Sequence, residues 1–320
     1  MKAMVFRRYG GVENLIFEEV DKPEPKEDEV RLKVRAASVN PDDYEVMKGR
    51  SIGRRFTTGL FTPQKKILGI DVAGTVDAMG PQAMECELGQ EVYADLSDHG
   101  YGAYAEYVCV PKSAIALKPR NLAFTAAATL PFAGTTALQG LFKGDILSYR
   151  SALIIGASGG VGHFALQIAK SYGLQVTAVC STQKIEMVKA LGADRIIDYT
   201  KTDYTKTDDQ YELIFDAAGK HSAGKFRKML TRDGRYVACA YNPSAYVHAP
   251  IRGILTNRRV VTYDTIPSTE DLATLRRMVE SKKITPYVDR VFSLKDLPEA
   301  MHYLKSGNVK GKVAIEMGKE

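Results

Sequence analysis

Ala152-Leu153-Ile154-Ile155 runs without interruption into Gly156-Ala157-Ser158-Gly159-Gly160-Val161-Gly162. The apolar run is too short for a helix and stops at glycine, so it reads as a buried strand. After the glycines, Val161, Ala165, Ile168 and Ala169 recur at helical spacing. A strand, a glycine turn and a helix therefore follow in that order. Ala157, Gly159 and Gly162 are the diagnostic positions of an AxGxxG turn. Without a Cβ, Gly159 lets an anion come close to the backbone. Gly162 lets the helix pack tightly on the strand, and the helix N-terminus offers unpaired N–H groups. Ala157, Ser158, Gly159, Gly160, Val161 and Gly162 are thus candidate contacts for a dinucleotide diphosphate. A glycine cluster alone also fits a purely structural turn, so the surrounding pattern has to decide.

Outward from this turn the pattern repeats. Apolar, β-branched runs stand at Ala152–Ile155, Gln175–Cys180, Arg195–Asp198, Glu212–Asp216, Arg235–Ala240 and Val260–Tyr263. Segments of helical period, such as Lys184–Leu191 and Ala223–Leu230, separate most of them. Strands alternating with helices predict parallel βαβ units, and six strands make a doubly wound Rossmann sheet. This assigns 122–265 to a dinucleotide-binding domain of the α/β class.

The first hundred residues differ. Short β-rich segments at Ile16–Val20, Glu29–Val39, Asp71–Ala78, Glu91–Leu96 and Ala103–Val110 are broken by Pro23, Pro25, Gly49, Gly53, Gly80 and Gly89. Val30, Leu32 and Val34 alternate with Arg31, Lys33 and Arg35, as in a half-buried strand. Residues 1–121 are expected to form an antiparallel β domain. The tail, 266–320, with a helix at Glu270–Ser281 and strands at Val288–Phe292 and Lys312–Met317, is expected to return to it.

The second strand of the predicted Rossmann sheet ends in Val179-Cys180-Ser181-Thr182-Gln183-Lys184. Enzymes that use NAD usually place a carboxylate about 20 residues beyond the glycines to hold both ribose hydroxyls. None stands here. Ser181 can donate to a 2′-phosphate, Lys184 can neutralise it, and Tyr199 after the third strand is a further donor. Charge-assisted contacts are worth about 1.5–3 kcal/mol each, so two of them favour NADPH by about two to four orders of magnitude. The competing readings are a helix cap for Ser181 and a solvated helix face for Lys184.

Composition narrows the alternatives. The net charge of +6 arises from 44 basic and 38 acidic residues with no long like-charge block, which argues against a nucleic-acid surface. Cys86, Cys109, Cys180 and Cys239 are widely spaced and form no CxxC pair, so neither a disulfide framework nor a structural zinc lobe is expected. Met1–Phe6 alternates like a strand and lacks a signal-peptide core. The most membrane-like stretch, Phe124–Phe142, contains Pro131, Gly134 and Gly140 and reads as a buried helix–turn–helix. A cytoplasmic protein without membrane or nucleic-acid partners is expected.

Several further segments carry a family resemblance over essentially the whole chain. Ser38-Val39-Asn40-Pro41-Asp42-Asp43, Leu68 through Val76, Gly102-Ala103-Tyr104-Ala105-Glu106-Tyr107, Leu130-Pro131 with Gly134-Thr135-Thr136-Ala137, Gly192-Ala193-Asp194 with Ile197-Asp198-Tyr199, and Gly311-Lys312-Val313 occur in order. Together they resemble the medium-chain dehydrogenase/reductase superfamily, and within it the zinc-independent NADPH:quinone oxidoreductases. The resemblance implies a GroES-like catalytic domain beside the Rossmann domain, an active site in the cleft between them, and a homodimer. Zinc-dependent relatives place a cysteine near Asn40 and a Gly-His-Glu triplet where Gly69-Ile70-Asp71 stands, so no metal is expected.

By the same resemblance Asn40 and Asp43 line the cleft, with a helix cap or a salt bridge as the plainer role for Asp43. Thr136 lies by the nicotinamide or simply packs its helix. Ala218-Gly219 and Tyr241-Asn242 close the fourth and fifth strands near the cofactor. Lys312 reaches the cofactor or a surface acid. Tyr44 is the nearest proton-donor candidate in sequence, although some relatives carry their tyrosine one position later. Arg50–Ile67, with Arg54, Arg55, Lys65 and Lys66, is a basic stretch that suits an acidic substrate or plain solvent. Without zinc to polarise a carbonyl, the expected substrate is a small, already electron-poor molecule, a quinone. The alternatives are an NADPH-dependent enoyl or alkenal (enone) reductase, a non-catalytic NADPH-binding protein, and a zinc-dependent alcohol dehydrogenase.

Overall fold

A computed structural model describes residues 1–49, 59–64, 66–239 and 259–318. The chain divides into two compact units, 1–132 with 266–280 and 286–320, and 133–265 with 281–285.

In the first unit, β1 (Lys2–Phe6) and β2 (Leu15–Glu19) form an antiparallel pair. The long β3 (Glu29–Val39) pairs antiparallel with both β4 (Asp71–Met79) and β6 (Tyr107–Pro111). Next to β4 lie β5 (Glu91–Asp95) and then β7 (Ile115–Leu117). Alternation sets the faces: Val30, Leu32 and Val34 are buried, while Arg31 reaches Asp77 at 2.8 Å. Met4, Phe6, Leu32, Met47, Leu68 and Tyr104 belong to this unit's apolar core.

The second unit is the expected parallel sheet. Its strands are β8 (Ser151–Ile155), β9 (Gln175–Cys180), β10 (Arg195–Asp198), β11 (Tyr211–Asp216), β12 (Leu230–Ala238) and β13 (Arg259–Thr262). They lie in the order β10-β9-β8-β11-β12-β13, all parallel. The order reverses beside β8, which places the glycine turn at the switch point of the sheet. The helix Gly162–Ser171 follows β8.

One expected helix is replaced by tighter structure. Ala223–Met229 is a 3-10 helix, and β12 begins at once with Leu230. Its buried residues, Ala223, Phe226 and Met229, recur every third position, which matches three residues per turn rather than 3.6.

The tail rejoins the first unit. β14 (Val288–Ser293) and β15 (Lys312–Glu316) pair parallel, and β15 lies antiparallel to β3, so this sheet is not wholly antiparallel. The helix Thr269–Glu280 belongs to the same unit, where Tyr93 donates to Leu272 O at 2.6 Å.

Candidate active site

The glycine turn contains two glycines with different tasks. A Cβ on Gly162 would lie 2.0 Å from Gly156 O, so the turn cannot close with any other residue there. A Cβ on Gly159 would meet only Gly156 O, at 3.3 Å. The fold thus constrains Gly159 far less than Gly162: a Cβ there needs Gly156 O to give by a few tenths of an ångström and otherwise meets open space, a cradle that it would fill. Gly159 N–H donates to Gly156 O at 2.9 Å and His163 N–H to Gly159 O at 3.1 Å. The buried His163 ring places Nδ1 2.9 Å from the same carbonyl, which only accepts, so Nδ1 carries the proton. Gly156 adopts φ +76°, and a Cβ there would lie 3.3 Å from that of Ala218. The structure thus brings Ala218-Gly219 to the turn, and both residues are held from below by a carboxylate. Asp216 Oδ1 accepts from Ala218 N–H and Gly219 N–H, each at 2.9 Å, and Oδ2 accepts from Tyr236 at 2.7 Å.

Ser181, Lys184 and Tyr199 gather at the ends of β9 and β10. Ser181 precedes a single 3-10 turn, Thr182–Lys184, and its side chain makes no cap hydrogen bond, so the cap reading fails. Tyr199 N–H donates to Cys180 O at 3.1 Å, joining the two strand ends. The Tyr199 ring lies 46% exposed beneath the Lys220 ammonium, 5.3 Å from its centroid.

Thr136 is buried, with Oγ1 3.0 Å from Thr265 Oγ1 and its carbonyl accepting from Tyr263 at 2.7 Å. Burial raises the Tyr263 phenol and pushes the neighbouring Cys239 thiol up to about 12, so neither ionises at neutral pH. Tyr241 lies outside the described residues, as does most of the basic Arg50–Ile67 stretch.

In the first unit, a buried polar cluster surrounds Asn40, at the start of the helix Pro41–Lys48. Asp71 Oδ2 accepts from Ser38 at 2.5 Å, Asn40 Nδ2 at 2.9 Å and Lys312 Nζ at 3.3 Å, and Oδ1 accepts from Phe132 N–H at 2.7 Å. Lys312 also donates to Asn40 Oδ1 and to Val39 O at 3.4 Å. Its three protons therefore have three protein acceptors, and the acid it meets is buried rather than at the surface.

Asp43 does cap the helix: its Oδ2 accepts from Asn40 N–H at 3.0 Å and from Tyr104 at 2.8 Å. Its other oxygen is buried without a partner among the described residues. Burial pushes Asp43 up to about 7 against the opposing Tyr104 and Asn40 bonds, with the Asp71 charge adding to the rise. Asp95, paired with Asp71 across β4 and β5, is pushed up to about 7 by burial and then by the Asp71 charge.

Tyr44 does not join this cluster. One residue on from Asp43 is a rotation of about 100°, and there the Lys48 and Lys305 ammonium groups lie 4.1 and 5.6 Å from the Tyr44 ring centroid. A hydrogen bond with Lys305 lowers the phenol's pKa.

Residues 26–120 match the alcohol dehydrogenase GroES-like domain family, and 191–315 match the zinc-binding dehydrogenase family. The chain is 36% identical over 328 residues to 2-methylene-furan-3-one reductase of Solanum lycopersicum, covering 98% of this chain and 79% of that one. The chain belongs to the medium-chain dehydrogenase/reductase superfamily. A second superfamily member, the chloroplastic NADPH-dependent alkenal/one oxidoreductase of Arabidopsis thaliana, is 35% identical, again over 98% of this chain and 79% of that one. A solved quinone oxidoreductase from Coxiella burnetii superimposes with a TM-score of 0.87 at 28% identity, covering 99% of both chains. A medium-chain dehydrogenase/reductase with these relatives is an oxidoreductase acting on a small molecule.

Asp71, Asp95, Tyr104, Asp216 and Asp198 are the polar residues of this superfamily member that local sequence reading passed over. A signal existed for Asp216, an acid ending the apolar run Leu213–Phe215 directly before Ala217-Ala218-Gly219.

Proposed function

We propose that this protein transfers hydride from NADPH to an electron-poor conjugated carbonyl, a quinone or an enone. The observation that carries the cofactor half is the glycine pair: Gly162 is required by the fold, whereas a Cβ on Gly159 would meet a single backbone oxygen at 3.3 Å and otherwise open space. NADPH rather than NADH is supported by the absence of a carboxylate at Ser181 and by its hydroxyl, which makes no cap hydrogen bond to the Thr182–Lys184 turn that follows it. In this reading Ala157, Ser158, Gly159, Gly160, Val161 and Gly162 hold the diphosphate, and Ser181, Lys184 and Tyr199 hold the 2′-phosphate. Ala218, Gly219, Thr136 and Tyr241 serve the rest of the cofactor.

Once bound, the nicotinamide supplies the hydride. The protein's part on the substrate side falls to Asn40, whose amide is oriented by Asp71 and Lys312, and to Asp43. With a pKa of about 7, Asp43 is substantially protonated at neutral pH and can retain a proton in the cluster. Tyr44 is not retained as proton donor. Zinc independence is supported by the donor set: Ile70 offers no ligand atom, and both Asp71 oxygens already accept hydrogen bonds. An acceptor that is already electron-poor follows from that set.

A homodimer and a cytoplasmic location belong to the same proposal. The former is supported by family resemblance, the latter by four free cysteines. No helix among the described residues is long and apolar enough to cross a membrane.

Turnover of NADPH with a quinone and with an enone at matched concentrations, before and after dialysis against a chelator, tests the reading. Oxidation with at least one acceptor, unaffected by chelation, is expected. Loss of turnover on chelation that zinc restores would overturn the metal-free mechanism.

A further inference from the structure

Asp198 is the last residue of β10, Thr182 and Thr200 stand just past the ends of β9 and β10, and none is among the candidate cofactor contacts. Thr182 Oγ1 donates to Asp198 Oδ2. Thr200 donates to Asp198 Oδ1 through its N–H at 3.0 Å and its hydroxyl at 2.7 Å, and the two threonine hydroxyls lie 2.8 Å apart. The carboxylate is thereby engaged at both oxygens, by Thr182 Oγ1 and by Thr200 N–H, and the single Thr200 hydroxyl proton is shared between Asp198 Oδ1 and Thr182 Oγ1, so that the two loops are tied through Asp198.

We propose that this clasp sets the preference for a cofactor bearing a 2′-phosphate, by holding Ser181, Lys184 and Tyr199 in a common frame. The proposal rests on the NADPH reading above and adds the residues that position its contacts.

The backbone alone does not supply that frame. The strand ladder ends with the Tyr199 N–H to Cys180 O bond, and beyond it Thr182–Lys184 is one exposed 3-10 turn closed by Lys184 N–H to Ser181 O at 2.9 Å. Such a turn is weak in isolation. The clasp grips it at its first residue, directly after Ser181 and two before Lys184, while its other side flanks Tyr199 through Asp198 and Thr200. The same bonds answer an electrostatic objection. Asp198 is an acid close to the expected phosphate site, and hydrogen bonding from Thr182, then Thr200, lowers its pKa, so it is ionised at neutral pH. With each oxygen accepting from the clasp, its lone pairs are directed at these donors. Lys201 adds an opposing charge, and Lys220, from the loop after β11, lies over the Tyr199 ring.

A merely structural tie would affect every adenine nucleotide alike, so the test reads a ratio. Binding of adenosine 2′,5′-bisphosphate and of 5′-AMP is measured by calorimetry for the full chain and for Thr182→Val and Thr182→Ser. The wild type is expected to prefer the bisphosphate by at least about tenfold. Thr182→Val should cut that preference by about five- to tenfold while leaving 5′-AMP binding within about twofold, and Thr182→Ser should restore it. An unchanged ratio in Thr182→Val, or an equal loss for both ligands, overturns the clasp and leaves the NADPH reading standing. A wild type that does not distinguish the two ligands overturns that reading, and the clasp's role with it.

Discussion

Asp43 is sealed from solvent in the folded chain and exposed in the unfolded one, so its proton couples folding to pH. Its folded pKa of about 7 lies above the ordinary 3.8. Between those values the folded state holds the proton and the unfolded state has lost it. Stability from this group is therefore full below about pH 4 and declines as pH rises through about 7. From pH 5 to pH 8 the expected loss is about 2–3 kcal/mol. Denaturant titrations at the two pH values should show that Asp43→Asn removes about this much of the difference; an unchanged difference would show that Asp43 is not the group concerned. Lys312 makes the opposite case, a buried cation whose removal strands Asp71. Lys312→Met should cost about 3–5 kcal/mol, and adding Asp71→Asn should recover part of it, because the stranded charge, not the lost contact, dominates the cost. A double variant that is simply the sum of the two single ones would contradict this pairing.

At the scale of elements, the glycine turn separates what the fold needs from what a ligand needs. Gly162→Ala puts its methyl 2.0 Å from a backbone oxygen and should destabilise by more than about 2 kcal/mol. Gly159→Ala meets one atom at 3.3 Å, and should leave stability within about 1 kcal/mol while weakening NADPH binding more than about tenfold. Thermal unfolding with and without cofactor separates the two, and equal stability losses would remove the distinction.

The same scale shows what local reading reaches. β9 and β10 are found to the residue: the buried β9 stops where Ser181 restores polarity, and the Ile196-Ile197 pair of the edge strand β10 is bracketed by Arg195 and Asp198. The start of β12 is missed because Thr231-Arg232-Asp233-Gly234 resembles a turn, and a register shift between Tyr211 and Leu213 lets the strand pass through it. The helix Pro41–Lys48 buries only Val46 and Met47 among its apolar residues, too few for a periodic signal; the Asn40-Pro41-Asp42-Asp43 cap marks it instead. The site divides in the same way. The glycine turn is contiguous and therefore legible. Asp71 and Lys312 lie 241 residues apart, and the clasp spans 18, so only the folded sheets reveal either partnership.

For the molecule as a whole, the two units carry separate halves of one chemistry. In the proposed reading the parallel sheet offers an anion-binding turn, and the β-rich unit offers a buried cluster in which Asn40 is braced by Asp71 and Lys312 and Asp43 retains a proton. Neither half transfers hydride by itself, so the claim is tested at the level of turnover. The most direct measurement gives the full chain NADPH carrying deuterium at both positions of the reactive nicotinamide carbon together with an enone, and follows the label by mass spectrometry. The account predicts one deuterium in the saturated product, on the carbon β to the carbonyl, for each NADPH oxidised. Tight NADPH binding with an unlabelled, unreduced enone, and no oxidation of NADPH by a quinone either, would contradict it and leave a nucleotide-binding protein without this catalysis.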